Sequence, residues 1–240
     1  MNTPEQVPTR PAIAAMCDGA TAVARVVRQF ATDDEVHALV ASIRSKPWLF
    51  RAVEGSFGVG PRYRVIDGLA VYDDLPEIVA FGERRIRALA ESFAGRPLAP
   101  SRRLPHEIRI QHFTEPHHNF RWHYDGHTYN ALLTLVNSNG SETQIVAPRL
   151  SRMTRRVYPL VALTPRVLSV LPHQDFTTLG GDVLLLRGEG LLHRGISRDL
   201  HGERLLVVFC FNEVGKPVRR GSWLRRRIAH ALNFGYADST

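Results

Sequence analysis

Two histidines and one aspartate are spaced so that they can bind one metal ion. His123 and Asp125 are two residues apart, and side chains at positions i and i+2 of an extended strand point to the same face of the sheet. His193 comes much later in the chain, so another strand must bring it to the pair. Two imidazole nitrogens and one carboxylate oxygen on one side of a metal leave its other positions open, which is the arrangement of non-haem Fe(II) sites. The spacing therefore predicts such a site.

A second pair of the same kind, His173 and Asp175, shows that His-x-Asp alone is weak evidence. This pair falls shortly before His193, in a segment that we interpret as a loop between strands. We therefore expect the second pair to bind no metal ion.

The first pair stands within an ordered set of strand-like runs and turns. In chain order these occupy residues 106–113, 130–137, 140–143, 180–186, 192–195 and 202–209. In that order and spacing, residues 104–214 resemble the Fe(II)/2-oxoglutarate-dependent dioxygenases. The resemblance is greatest to the prolyl 4-hydroxylase-like branch, with some similarity to the bacterial free-amino-acid hydroxylases.

The resemblance implies an all-β core with flanking helices, an α+β chain whose centre is a double-stranded β-helix, or cupin-like jelly roll. We expect residues 104–214 to form this catalytic core. Residues 1–103 are expected to supply helical support that packs on the barrel within the same domain. Residues 215–240 are expected to form a basic C-terminal helix or tail.

The resemblance also implies the ligands. His123, Asp125 and His193 would bind Fe(II), and 2-oxoglutarate and O2 would be consumed, with ascorbate as the reductant in vitro. Arg204 would bind the distal carboxylate of 2-oxoglutarate, because a guanidinium matches a carboxylate in two places. The alternative for Arg204 is an internal ion pair with Glu107 or Glu142.

A hydroxyl group is expected beside Arg204. Many relatives have a serine two residues after this arginine, and here Leu206 stands there. Thr134 matches a position where relatives place a polar residue that binds the cosubstrate, so we predict that the Thr134 hydroxyl helps to bind 2-oxoglutarate.

The substrate pocket is predicted from residues that flank the metal-binding strands. Alternation puts Trp122 and Tyr124 opposite to His123 and Asp125, so these two are equally candidates for the core. Arg109 is the candidate for binding a substrate carboxylate. The full set of substrate candidates is Arg109, Phe113, Trp122, His127 and Arg194.

The elements outside the barrel are predicted from caps and periodicity. Thr32 and Glu35 form a capping box before a helix, and Asp74 and Glu77 repeat the pattern before a second helix that ends near Gly95. Residues 137–140 read as a hairpin connection. Residues 148–166 are predicted to form an arginine-rich connection, and residues 167–171 are predicted to form a strand.

Composition limits the class of protein and its partners. The chain has 240 residues, 44% of them hydrophobic, and its two cysteines cannot form a disulfide framework. The net charge of +8 is concentrated in two acid-free segments, residues 143–174 and 214–230. These are either solvated or attract an acidic partner. No leader or membrane-spanning run is recognised, so we expect a cytoplasmic protein.

The function that these observations favour is oxidation, foremost hydroxylation, of an unactivated C–H bond in a free amino acid or natural-product intermediate. The small-molecule substrate is expected to be anionic or zwitterionic, either free, bound to an acidic carrier protein or within a peptide. An AlkB-type nucleic-acid demethylase is the alternative, but such enzymes carry a further arginine where Cys210 stands. No specific nucleic acid and no membrane are expected as partners. Asp125 argues against a halogenase, and the intact triad against a metal-free binding module. The oligomeric state is left open.

Overall fold

Two antiparallel sheets form the framework of the molecule. The computed structural model describes residues 15–53, 62–100, 107–115, 118–161, 168–197 and 201–215. Their strands, in chain order, are β1 Ala15–Asp18, β2 Thr21–Val27, β3 Arg51–Val53, β4 Tyr63–Ile66, β5 Leu98–Pro100, β6 Ile108–Phe113, β7 Phe120–His123, β8 Tyr129–Asn137, β9 Glu142–Val146, β10 His173–Thr177, β11 Val183–Leu186, β12 His193–Ile196 and β13 Arg204–Glu213.

The larger sheet has the order β1-β2-β11-β8-β13-β6-β4-β3, and β5 also pairs with β13. The smaller sheet has the order β10-β9-β12-β7. Successive strands of residues 108–213 change sheet, except that β9 and β10 pair with each other in the smaller sheet. This is the jelly-roll arrangement predicted from the sequence. The predicted fold is therefore confirmed.

The helices of the described residues are α1 Asp33–Arg44, α2 Gly68–Asp74, α3 Pro76–Phe81, α4 Arg87–Ala94 and α5 Pro148–Val161. A π-helical turn, Gly82–Ile86, joins α3 to α4, and short 3-10 turns occupy Pro47–Leu49 and Gly188–Gly190. In this part of the chain no helix is long and apolar enough to span a bilayer.

Alternation along β13 divides the core into two parts. Leu205, Val207 and Phe209 pack against α1 to α4 on the outer face of the larger sheet. Leu206 and Val208 point to the opposite face, between the sheets. Because Arg204 has the same parity as Leu206, its side chain also enters the space between the sheets.

The N-terminal half combines predicted helices with strands. The Thr32 capping box is present, since Glu35 N donates to Thr32 Oγ1 at 3.3 Å and Thr32 N donates to Glu35 Oε2 at 2.9 Å. α4 ends at Gly95, whose φ of 66° is left-handed. The N-terminal half is not only helical support, however, because β1 to β5 are part of the larger sheet.

Several predicted elements were wrong. The helix before Gly95 has no Asp74 cap, because α2 ends at that residue and α3 begins at Pro76 without a side-chain cap. Residues 137–140 do not connect a hairpin, since β8 and β9 belong to different sheets. Residues 168–169 are helical where a strand was predicted. The predicted C-terminal helix lies outside the described residues, apart from Gly215.

The prediction of an arginine-rich connection was also wrong, because residues 148–161 form the helix α5. Its inner side packs Leu150 and Tyr158 against Trp122. The Tyr158 hydroxyl donates to Trp122 O at 2.7 Å, and the Tyr124 hydroxyl donates to Ser151 O at 2.5 Å. These contacts place α5 directly behind the segment that carries His123 and Asp125.

Candidate active site

The pairing of β7 with β12 brings the three predicted ligands together. His193 is the register partner of His123, and Asp125 lies two residues beyond the end of β7. Nε2 of His123 is 3.2 Å from Asp125 Oδ1, and Nε2 of His193 is 3.2 Å from Asp125 Oδ2. Within the described residues, these three form the one group of three or more His, Cys, Asp or Glu side chains arranged to hold a metal ion.

Backbone carbonyls orient both imidazoles. His123 Nδ1 is 2.7 Å from Arg121 O, and His193 Nδ1 is 3.0 Å from Leu191 O. A carbonyl oxygen only accepts hydrogen bonds, so each Nδ1 carries the proton and each Nε2 keeps a free lone pair. Both lone pairs are therefore directed to the position where a metal ion would bind.

Burial and the neighbouring charges act in opposite directions on these groups. Burial raises the pKa of the Asp125 carboxyl, but the adjoining imidazoles of His193 and His123 hold it well below its usual value. Burial is the largest single influence on His193 and lowers its pKa, but the charge and hydrogen bond of Asp125 and the hydrogen bond to Leu191 O together outweigh it, so the net shift of the pKa is upward. The aspartate is thus ionised, as metal binding requires.

Asn130 and Gly188 support Asp125. Asn130 Nδ2 donates a hydrogen bond to Asp125 Oδ2, and the backbone N–H of Asp125 donates to Gly188 O at 3.3 Å. The carboxylate can only accept, so the amide nitrogen of Asn130 must face it. These contacts fix one oxygen of Asp125 before any metal binds.

Arg204 lies fully buried between the sheets. Its Nη2 donates to Thr143 Oγ1 of the opposite sheet at 3.1 Å, and within the described residues its Nε has no hydrogen-bond partner. Burial lowers the pKa of Arg204 to about 10, and Glu142 attracts it only electrostatically. The described residues show no ion pair of Arg204 with Glu107 or Glu142, and Glu107 instead accepts from the Tyr72 hydroxyl at 2.7 Å.

One cavity joins the metal-ligand cluster to Arg204. It encloses about 400 Å³, including the part that is open to solvent. Its lining consists of Arg109, Gln111, Phe113, Phe120, His123, Asp125, Asn130, Leu132, Thr143, His193, Gly195, Arg204, Leu206 and Val208. The cavity is therefore charged at its two ends and largely apolar between them.

The structure brings two of the five substrate candidates to this cavity, namely Arg109 and Phe113. Trp122 is in the core beneath α5. Arg194 lies over the Trp122 ring at 4.6 Å and donates to Gln144 Oε1 at 2.7 Å, outside the cavity. The buried His127 is also outside the lining.

Thr134 is not part of the cavity lining either. Its hydroxyl lies 2.6 Å from Thr178 Oγ1 and is fully buried, so it is already paired. The hydroxyl beside Arg204 comes from Thr143 instead. Residues 140–143 belong to the set of runs and turns that carries the family resemblance, but no role was predicted for Thr143 itself.

Gln111, Phe120, Asn130 and Gly195 were missed as cavity residues. A signal for Gln111 was present in the sequence, since it lies between Arg109 and Phe113 at the period of two along β6. No comparable signal marked Phe120, because a register irregularity in the β7–β12 pairing puts Phe120 opposite Gly195.

The second His-x-Asp pair is held in a different environment. His173 and Asp175 lie on β10, a strand and not the predicted loop. His173 Nε2 is 3.6 Å from Asp175 Oδ1, and Asp175 also accepts from Gln144 Nε2 at 3.0 Å. No third metal ligand joins them within the described residues.

The comparisons with known proteins give matches among solved structures alone. Family models and curated protein sequences gave no match. HygX from Streptomyces hygroscopicus with nickel and 2-oxoglutarate bound has a TM-score of 0.61 and 19% identity, over 83% of this chain and 86% of that one. The non-haem α-ketoglutarate-dependent carbocyclase SnoK from nogalamycin biosynthesis has a TM-score of 0.63 and 14% identity, over 85% of each chain.

A third similar structure is the α-ketoglutarate-dependent epimerase SnoN from nogalamycin biosynthesis. Its TM-score is 0.58 at 17% identity, over 79% of this chain and 77% of that one. At such identities the comparisons show a shared fold. The chain thus has the fold of non-haem 2-oxoglutarate-dependent enzymes, as its motifs predict.

Proposed function

We propose that this protein is an Fe(II)- and 2-oxoglutarate-dependent oxygenase, with residues 104–214 as its catalytic core, that hydroxylates an unactivated C–H bond of a small molecule. The observation that carries the proposal is a single cavity. It joins a cluster of two histidines and one aspartate to a buried arginine that makes no ion pair within the described residues.

The donor set fits Fe(II). Both Nε2 lone pairs and the ionised carboxylate lie on one side of the site, which leaves positions for a cosubstrate and for O2. Iron with 2-oxoglutarate and O2 supplies the oxidising power that breaks the C–H bond. The protein's own residues would bind the metal, the cosubstrate and the substrate and position them relative to one another.

Arg204 and Thr143 are suited to the distal carboxylate of 2-oxoglutarate. A buried guanidinium without a counter-charge is costly, so it favours an anion. Gly195 leaves the space in front of it open, because a Cβ there would lie 3.3 Å from Arg204 Nη1. Burial keeps water from this end of the cavity and strengthens the charged hydrogen bonds.

Arg109 and Phe113 are the residues that we assign to the substrate. Phe113 stacks on Tyr63 with ring centroids 5.5 Å apart, and Phe120 packs on Tyr63 at 5.3 Å and on His123 at 4.3 Å. This aromatic wall beside the metal ligands would exclude water from the reacting carbon, and the Arg109 charge favours an anionic or zwitterionic substrate.

A natural-product intermediate is the substrate class that the neighbours support, with a free amino acid as the other class predicted from the sequence. HygX has been solved with hygromycin B bound, and SnoN with nogalamycin RO. SnoN is an epimerase and SnoK a carbocyclase. The position of the substrate carbon relative to the iron selects among such outcomes.

The test is a substrate screen with Fe(II), 2-oxoglutarate and ascorbate, in which succinate and product mass are both followed. Hydroxylation predicts succinate release that depends on the substrate, together with a product heavier by one oxygen atom. Succinate release with an unchanged product mass, or with loss of two hydrogens, would contradict hydroxylation while leaving the oxygenase class intact.

A further inference from the structure

Arg194 lies behind the predicted metal site, on the outer face of the smaller sheet. Its neighbour His193 lines the cavity, and side chains alternate along a strand, so Arg194 points away from the cavity. Trp122 has the same relation to His123 on β7. The Arg194 guanidinium lies over the Trp122 ring, with its Cζ 4.6 Å from the ring centroid. The residue after one predicted metal ligand thus contacts the residue before another.

The backbone pairing between the two strands that carry these histidines is irregular. His193 is the register partner of His123, and Gly195 is the register partner of Phe120, with a shift of register between the two pairs. A step of two residues on β12 therefore spans three on β7, which is the pattern of a β-bulge. A regular ladder does not fix the spacing of the two imidazoles, whose ring centroids are 4.2 Å apart.

Arg194 is held in place from the other side by β9 and β10. Gln144 is its register partner on β9, and Asp175 is the register partner of Gln144 on β10. Arg194 Nε donates to Gln144 Oε1 at 2.7 Å, and Gln144 Nε2 donates to Asp175 Oδ1 at 3.0 Å. Arg194 Nη1 also donates to Ser169 Oγ at 3.1 Å. These hydrogen bonds fix the plane of the guanidinium over the Trp122 ring.

Burial strengthens the contact between Arg194 and Trp122. Trp122 is 3% exposed, and a cation over an aromatic ring is attracted more strongly where water is excluded. Burial lowers the pKa of Arg194, whereas the negative charge of Asp175 raises it. Trp122 Nε1 has no hydrogen-bond partner among the described residues, so the indole acts here through its ring face.

We propose that Arg194 is a positioning residue for the metal site, whose contact with Trp122 ties β12 to β7 behind the sheet and sets the spacing of the His193 and His123 imidazoles. Gln144 and Asp175 hold Arg194 in that place, so the aspartate of the second His-x-Asp pair supports the first pair. The inference rests on the proposed function, because it concerns the same metal site. Neither Arg194 nor Trp122 lines the cavity, so their effect reaches the metal only through the two histidines.

Anaerobic titration of the full chain with Co(II) tests this inference. Co(II) binds the same kinds of ligand as Fe(II), and its visible absorption bands record how those ligands are arranged. Arg194→Met keeps the length of the side chain but removes its charge and donors. Trp122→Leu removes the ring, whereas Trp122→Phe keeps an aromatic face. The matched control is Arg28→Met, which removes an arginine that donates to Asp182 Oδ2 at 2.6 Å and to Thr177 O at 3.0 Å, away from this contact.

Arg194→Met and Trp122→Leu are each expected to weaken Co(II) binding by about tenfold or more, the scale of loss when residues that orient metal ligands are changed. Both should also shift the visible bands. Trp122→Phe should keep the wild-type affinity and bands. Arg28→Met should lower the Tm and leave the Co(II) affinity and bands unchanged. Arg194 is only partly buried, so Arg194→Met decides the test where Trp122→Leu does not fold.

Wild-type Co(II) affinity and bands in a folded Arg194→Met protein would overturn the inference, because Arg194 would then only stabilise the sheet. An equal loss of affinity in Arg28→Met would also overturn it, because the loss of any buttressing arginine would then suffice. If the wild-type protein bound no Co(II), the proposed function would fail instead, so the two failures are distinguishable.

Discussion

Gly188 lies directly against Asp125. A Cβ at position 188 would stand 2.5 Å from Asp125 Oδ2, 2.8 Å from Asp125 Cβ and 2.7 Å from Asn130 Nδ2. Such distances are shorter than real Cβ contacts, so a side chain could enter only if the aspartate moved. The glycine therefore leaves room for the carboxylate of Asp125, the predicted metal ligand.

Gly188→Ala is predicted to lower Fe(II) affinity by about tenfold or more, as displacement of a residue that orients a ligand does in other metal sites. Gly190→Ala is the matched control, because a Cβ at that position meets nothing within 4 Å. Metal titration of both folded variants checks this. Equal affinities in the two variants would show that Gly188 does not position Asp125.

Arg204→Ala is predicted to raise the 2-oxoglutarate KM steeply and to leave Fe(II) affinity nearly unchanged. Truncation of a buried charged partner costs on the order of 2–5 kcal/mol. Arg204→Lys keeps the charge but loses the planar fork, so its effect should be intermediate. Steady-state kinetics at varied 2-oxoglutarate would measure both, and an unchanged KM in the alanine variant would exclude the assigned role.

Metal binding is predicted to weaken in acid. The pKa of His193 is raised, because burial, the largest single cause, lowers it by less than the charge and hydrogen bond of Asp125 and the hydrogen bond to Leu191 O together raise it. The protonated imidazole cannot bind metal, so affinity is complete above this raised pKa and falls as the pH drops through it. Calorimetric titration between about pH 5 and pH 8 spans the histidine range. An affinity that does not change with pH would contradict the histidine ligands.

The outer side of α5 is predicted to matter less for recruitment than its charge suggests. Arg152 pairs with Asp18, and Arg155 lies 4.0 Å from Glu189 and over the Tyr124 ring. The arginines of a segment that contains no acidic residue thus contact acidic residues from other parts of the fold. Neutralising Arg152, Arg155 and Arg156 together is therefore expected to change kcat/KM and its salt dependence little. A lower kcat/KM with a flatter salt dependence would instead show that the segment recruits an anionic substrate or an acidic carrier protein.

Uncoupled 2-oxoglutarate turnover of that triple variant should change little. Titration of labelled oligonucleotides at two salt concentrations is the companion measurement, and we expect weak binding without sequence preference. Tight wild-type binding with a steep salt slope, lost in the triple variant, would favour nucleic acid as the partner.

The spacing of His123 and Asp125 predicted that both side chains reach one point and that a later strand must bring His193 to them, and β12 is that strand. This part could be predicted because the period of two along a strand is a local property of the chain. Arg109 and Phe113 were predicted because they flank the metal-binding strands, and Arg204 because of the family resemblance; all three line the cavity.

The predictions that were wrong concern residues whose environment is set by contacts with distant parts of the chain. Thr134 was the expected hydroxyl, but Thr178 pairs with it, and Thr143 reaches Arg204 from the other sheet. The helix α5 was predicted to be a loop because arginines are frequent in its sequence and its apolar face is narrow. The helix is stabilised by packing of that face against Trp122 and its neighbours. Neither partner can be identified from the local sequence.

The central claim is that His123, Asp125 and His193 hold an iron that activates 2-oxoglutarate, and uncoupled turnover tests it most directly. Under air, with Fe(II) and ascorbate but no substrate, the wild-type protein should convert 2-oxoglutarate to succinate slowly, and His193→Ala should not. His173→Ala, a histidine change on β10 outside the cluster, should keep the wild-type rate. Succinate formation by a folded His193→Ala protein at the wild-type rate would contradict the account.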